Sequence, residues 1–123
     1  MKKNNTHRNH KRFKVQKGVF MQIRGLLNLR GKIINLSRGG LAFIYNDIGN
    51  RPGEEVALDI FLKKNRFLMK KLPIKIISDS PVSKKSLFTF SKKRQCGAQF
   101  VGLIHNQIEQ LEYFIKGYTG GEV

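Results

Sequence analysis

The stretch "GKIINLSRGGLAF", residues 31–43, decides how the chain is read. Two apolar runs, Ile33-Ile34 and Leu41-Ala42-Phe43, flank the polar hexapeptide "NLSRGG". Apolar strands on either side of a glycine-rich connection mark a β-hairpin. Period-two geometry then assigns faces. Ile34 and Leu36 are expected toward the core, with Ile33, Asn35 and Ser37 on the opposite face. An amide and a hydroxyl side by side can donate and accept at once. Gly39 and Gly40 permit a positive φ or a close backbone approach. These features describe a polar platform beside bare backbone. They equally describe an ordinary turn whose Asn and Ser bond their own backbone.

The same period runs outward from the hairpin. Val19, Met21 and Ile23 share a face in "VFMQIR", and Leu41, Phe43 and Tyr45 share one in "LAFIYN". "EVALDIFLKK" alternates with Val56, Leu58, Ile60 and Leu62 on one side. "LMKKLPIKIISD" places Leu68, Lys70, Leu72, Ile74 and Ile76 in one register, and Pro73 calls for an edge or a bulge nearby. "LFTFS" and "RQCGAQFVGL" read as a last hairpin with "KKR" near its turn. Phe43, Phe88 and Phe100 fall on core-facing registers.

The period then changes. Ile104, Ile108, Leu111 and Ile115 follow helical spacing, with Asn106 as the expected N-cap and Gly117 as the stop. Six or seven short strands and one amphipathic helix point to an all-β fold, a small antiparallel barrel with a C-terminal helix laid on it. The expected organisation is a flexible basic arm over 1–17, a barrel plus helix over 18–118 and a tail over 119–123.

The chain has 123 residues and carries 24 Lys+Arg against 8 Asp+Glu, a net charge of +16 that favours anionic partners. A single cysteine, Cys96, fits a reducing compartment. The basic N-terminus lacks a signal-peptide core and no apolar run spans a bilayer, so a cytoplasmic protein without membrane insertion is expected. The acids are scattered, and His7, His10 and His105 lack metal-ligand spacing. No cofactor, metal site or enzyme chemistry is expected.

The arm holds "RNHKR", with Arg8 and Arg12 four apart. Each guanidinium is a rigid fork suited to phosphate oxygens or to the O6/N7 edge of guanine. Taken alone, this is a solvated tail. An RxxxR pair followed by [DN]xSxxG, here Asn35-Leu-Ser37-Arg-Gly-Gly40, resembles the PilZ domain family. The likeness extends to "CGAQFVGL" and the helix, from Arg8 to about Tyr118. It implies a six-stranded β-barrel with a terminal helix that binds the bacterial second messenger cyclic di-GMP. It further implies that Arg8 and Arg12 grip phosphates and guanine edges, that Asn35 and Ser37 bond the guanine, and that Gly40 keeps the surface open. His7, Arg38 and Gly39 flank the motifs as weaker candidates. His7 stands where many relatives extend the arginine run. A lone receptor domain would hand its signal to a downstream protein partner.

Two other classes remain beside it. Small basic barrels also bind single-stranded nucleic acid on stacked aromatics. A non-ligand-binding, protein-docking adaptor would use the helix or the lysine-rich loops.

Overall fold

The computed structural model describes residues 11–15, 18–25, 29–62, 66–82 and 92–122. Eight strands and one helix follow in the order β1 (Phe13–Val15), β2 (Val19–Ile23), β3 (Arg30–Leu36), β4 (Gly40–Asn46), β5 (Glu55–Leu62), β6 (Arg66–Pro81), β7 (Lys93–Phe100), α1 (His105–Tyr118) and β8 (Thr119–Glu122). The sheet runs β2-β5-β6-β7-β4-β3, and a β2–β3 pairing closes these strands into an antiparallel barrel. Closure leaves the ring without unpaired edges. β1 and β8 lie outside the ring: β1 pairs with β3, and β8 pairs with β1. The segment expected as arm and the one expected as tail therefore each contribute a strand.

The inward residues are those that alternation requires. Val19, Met21 and Ile23 from β2 meet Leu41, Phe43 and Tyr45 from β4, with Leu58, Ile60, Ile74 and Cys96. Leu111 and Phe114 of α1 join the same core. Burying each such side chain contributes about 1.5–3 kcal/mol.

Bulges in β3 and β6 shift the alternation. In β3 the register moves from Ile33↔Phe43 to Asn35↔Ala42, leaving Ile34 as the extra residue. Ile33 and Leu36 thus fill the core, and Ile34, expected there, is only half-buried. A bulge places two residues of one strand against one of its partner, which inverts the parity beyond it. In β6 the pairs Leu58↔Leu72 and Ile60↔Met69 put both Lys70 and Lys71 opposite Asp59. Met69, not Leu68 or Lys70, therefore shares the core with Leu72 and Ile74. This irregularity lies two residues from Pro73, which sits between β5 and β7 rather than at an edge. The β5–β6 register shifts again between Ile60 and Phe61, and a further bulge separates Ile76 from Ser78 opposite β7.

Lys71 has φ 58°, a left-handed conformation that a residue with a Cβ adopts only when held. Asp59 holds it. Its Oδ1 accepts the Lys71 backbone N–H at 2.9 Å, and both carboxylate oxygens accept from Arg24 Nη1 at 3.1 Å. Asp59 is 8% exposed, so losing these partners would leave a buried carboxylate unpaired. Asp59→Ala is expected to lower unfolding stability by about 2–3 kcal/mol, measured by urea denaturation. A neutral change would mean that the bulge holds itself.

The final hairpin differs from expectation. β7 pairs with β6 on one side and β4 on the other, and β6 runs on to Pro81. Lys93 and Arg94 lie in β7 rather than at a turn. "LFTFS", with Phe88, lies outside the described residues. Phe43 is buried, and Phe100 is half-buried against the core.

Near the C-terminal end of β4, Asp79 accepts hydrogen bonds from Tyr45 Oη (2.9 and 2.8 Å) and Arg94 Nε (2.9 Å). Cys96 is fully buried nearby, and burial, with the Asp79 charge adding to it, pushes its thiol up to about 12. Since only the unfolded thiol ionises readily above pH 9, stability falls as pH rises from there toward 12. The folded protein should resist a thiol-specific disulfide reagent at pH 8 and react once unfolded. Fast labelling of the folded chain would contradict this burial.

The helix begins at His105 rather than after Asn106. Ile104 caps it: its carbonyl accepts from Ile108 N–H at 3.0 Å, and its own N–H donates to Gln107 Oε1 at 3.1 Å. Gln107 Nε2 also donates to the Lys71 carbonyl at 3.2 Å, docking the helix start on the β6 bulge. Gly117 lies inside the last turn, and the helix ends at Tyr118.

Candidate functional site

The turn between β3 and β4 is built around Ser37. Its N–H donates to the Gly40 carbonyl at 2.9 Å. Its Oγ accepts the N–H groups of Gly39 and Gly40, each at 3.1 Å. A weaker contact of 3.3 Å runs from the hydroxyl to the Gly40 carbonyl. The local side-chain-to-backbone pattern is therefore realised, and Ser37 is only 7% exposed. Two acceptor sites are engaged, while the hydroxyl proton is held only loosely and can turn toward another acceptor.

Neither Gly39 nor Gly40 uses a positive φ. Gly40 is required by proximity. A Cβ there would collide with the Ala98 carbonyl oxygen on β7. The Gly39 carbonyl accepts the Phe100 N–H at 2.9 Å, tying the turn to the end of β7.

Asn35 faces away from the core because the β3 bulge inverts the parity between Ile33 and Leu36. It pairs with Lys14 of β1, as Leu36 pairs with Phe13. Continuing that antiparallel register by one residue sets Arg12 level with Ser37. Arg12, Asn35, Ser37, Arg38, Gly39 and Gly40 all line one cleft of about 640 Å³. Arg8 and His7 lie outside the described residues.

Two further surfaces complete the cleft. Its floor is the outward face of β4, β7 and β6, where Ala42 pairs with Gly97 and Ser78 pairs with Gly97 in turn. Ser78 Oγ accepts the Gly97 N–H at 3.1 Å, and a Cβ on Gly97 would approach that oxygen to 2.9 Å. Gln95 and Gln99 stand on the same strand face and also line the cleft. The other wall is apolar, with Leu103, Ile108 and Leu111 of the helical segment. Ile77, 60% exposed, borders it as well. The small outward residues Ala42 and Gly97 were a legible signal of a shallow floor. The helix wall was not, because only the docking of α1 creates it.

The arginines differ in their partners. Arg24 pairs with Asp59, Arg51 with Asp47 and Arg94 with Asp79. Arg30 donates to Gln22 and lies 5.6 Å over the Phe61 ring. Arg38 Nε meets Glu112 Oε2 of α1 at 3.1 Å. Among the described residues, Arg12 alone of the arginines with a described side chain has no such partner. It is half-buried at the cleft and presents its whole fork of donors to an incoming anion.

The PilZ domain family model matches residues 6–117. This chain belongs to the PilZ domain family. Among solved structures, this PilZ domain is similar to the PilZ domain with c-di-GMP of YcgR from Escherichia coli. That likeness has a TM-score of 0.69 at 16% identity and covers 90% of each chain. It is also similar to YcgR from Escherichia coli in complex with c-di-GMP (TM-score 0.63, 16% identity, 89% of this chain and 44% of that one). A third likeness is to MrkH, a c-di-GMP-dependent transcription regulatory factor (TM-score 0.62, 13% identity, 89% of this chain and 49% of that one). The chain thus spans less than half of those two longer proteins. No curated protein sequence matches it. At these identities the structural likenesses carry the barrel-and-helix fold. Among the described residues, no group of three or more His, Cys, Asp and Glu could hold a metal ion. No helix of the described residues is long and apolar enough to cross a membrane.

Proposed function

We propose that this PilZ domain binds cyclic di-GMP in the cleft between the β3–β4 turn, the β7 face and α1. The observation that carries the reading is Arg12: β1 delivers it beside Asn35 and Ser37, and it has no other partner among the described residues. Both proteins named YcgR and MrkH are described as c-di-GMP-bound or c-di-GMP-dependent, which supports the same ligand here.

In this reading Arg12 takes a phosphate or a guanine edge, joined by Arg8 and, at the rim, by Arg38 with His7 and Gly39. Asn35 and Ser37 bond the guanine. The arm over 1–17 is the lid, the segment 18–118 the receptor body and 119–123 the tail. Ordering a residue costs roughly 1–2 kcal/mol. β1 already places Arg12, so its charge-assisted bonds, roughly 1.5–3 kcal/mol each, are offset by little ordering. The closed lid presents a changed surface to a downstream protein partner, in the cytoplasm and without membrane insertion.

Single-stranded nucleic acid fits less well. Phe20 and Phe61, on the outward face of the barrel, lie tilted at 31° to one another with ring centroids 5.9 Å apart. Phe61 is only 7% exposed beneath Arg30, so it offers little face to a base.

Calorimetric titration with cyclic di-GMP, GTP and single-stranded RNA at moderate salt tests the proposal. Saturable heat with cyclic di-GMP alone is expected. No heat with it, together with tight salt-sensitive RNA binding, would overturn the reading.

A further inference from the structure

β3 shares one edge between two neighbours. β2 takes the stretch from Arg30 to Lys32, and β1 takes Asn35 and Leu36. β1 is only three residues long, and so short a strand added at an edge is marginal by itself. It is not left at the edge. β8 pairs along its other side, with Phe13 opposite Glu122 and Val15 opposite Thr119. β8 follows α1 directly and has β1 as its strand partner. The two ends of the described chain thus meet next to the cleft, one residue from Arg12.

We propose that β8 is a positioning strand for Arg12, so that occupation of the cleft and the pairing of residues 119–122 favour one another. The ligand half of this statement rests on the function proposed above. Fixing β1 through Arg12 presents a complete edge to β8, and pairing by β8 holds β1 from its second side. Linkage makes the two effects equal. The C-terminal segment is then where binding at the arm is felt, through a backbone ladder rather than through the barrel core.

Three measurements test this with the full chain and a chain ending at Tyr118. The barrel closes through β2 and β3, so the shortened chain keeps its ring. Without ligand, amide exchange at Phe13–Val15 should quicken in the shortened chain. With cyclic di-GMP, amides at 119–122 of the full chain should slow, an effect that a merely structural strand would not show. The shortened chain should bind cyclic di-GMP about tenfold more weakly, within the range usual for coupled sites. The full-length variant with Gly120→Pro and Gly121→Pro, which fixes the backbone between the two paired positions of β8 without shortening the chain, should behave like the shortened one. Unchanged exchange at Phe13–Val15 would overturn the positioning role, whatever the ligand. Binding by both chains with equal affinity would overturn the coupling. If the full chain fails to bind cyclic di-GMP, the proposed function fails, while exchange at Phe13–Val15 still decides whether β8 holds β1.

Discussion

Arg12→Ala is expected to weaken cyclic di-GMP binding about 100-fold, equivalent to about 2.7 kcal/mol. The reasoning is local. Arg12 is half-buried at the cleft and unpartnered among the described residues, so the alanine variant removes a donor fork without stranding an internal partner. Two charge-assisted bonds of roughly 1.5–3 kcal/mol each, less the solvation regained, give this order. The melting temperature should not move, because no described ion pair is broken. Arg38→Ala should do less. Arg38 already serves Glu112, in a pair whose side chains are 56% and 45% exposed, and such exposed pairs contribute about 0–1 kcal/mol. Calorimetry at one salt concentration checks both. An Arg12→Ala protein that binds like the parent would remove the observation on which the proposed function stands.

Gly40→Ala should injure the fold before it touches the ligand. The added Cβ would collide with the Ala98 carbonyl oxygen, a backbone atom that cannot swing aside. β4 and β7 must separate over the Gly40↔Gln99 and Leu41↔Ala98 pairs. Overpacking of this kind costs typically 1–3 kcal/mol. With backbone as the obstacle the upper end is expected, about 3 kcal/mol and roughly 10 °C in melting temperature. Gly117→Ala is the control. Gly117 lies in α1 with open space around its Cα and no positive φ, so alanine should be neutral or slightly stabilising there. If Gly40→Ala melts like the parent and loses only ligand, the glycine serves the open surface, as the family likeness implied, and not the strand contact.

Much of the barrel was legible because apolar alternation is a direct image of burial. Val19, Met21 and Ile23 show it in β2, and Leu41, Phe43 and Tyr45 in β4. The site motifs were legible for a different reason. Asn35, Ser37 and Gly40 are close in sequence, and one turn gathers them.

Alternation failed at the bulges. A count by twos put Ile34 and Lys70 on the core face, while the chain buries Ile33 and Met69. No residue type at Ile34 signals an extra position, since the bulge depends on what the facing strand can pair with. The same reason hid the role of Asp59, whose carboxylate serves a Lys71 conformation twelve residues away. Glu112 and Arg38 likewise meet only after α1 docks.

The sequence by itself determined the six strands of the ring, the terminal helix, the charge and the two motifs, because each is written in neighbouring residues. Only the tertiary structure decided that β1 brings Arg12 level with Ser37, that α1 walls the cleft and that the C-terminal strand lies against the arm. Those facts depend on backbone pairing between segments distant in sequence. Hydrogen bonds between main chains carry no side-chain signature, so nothing in the order of residues announces them.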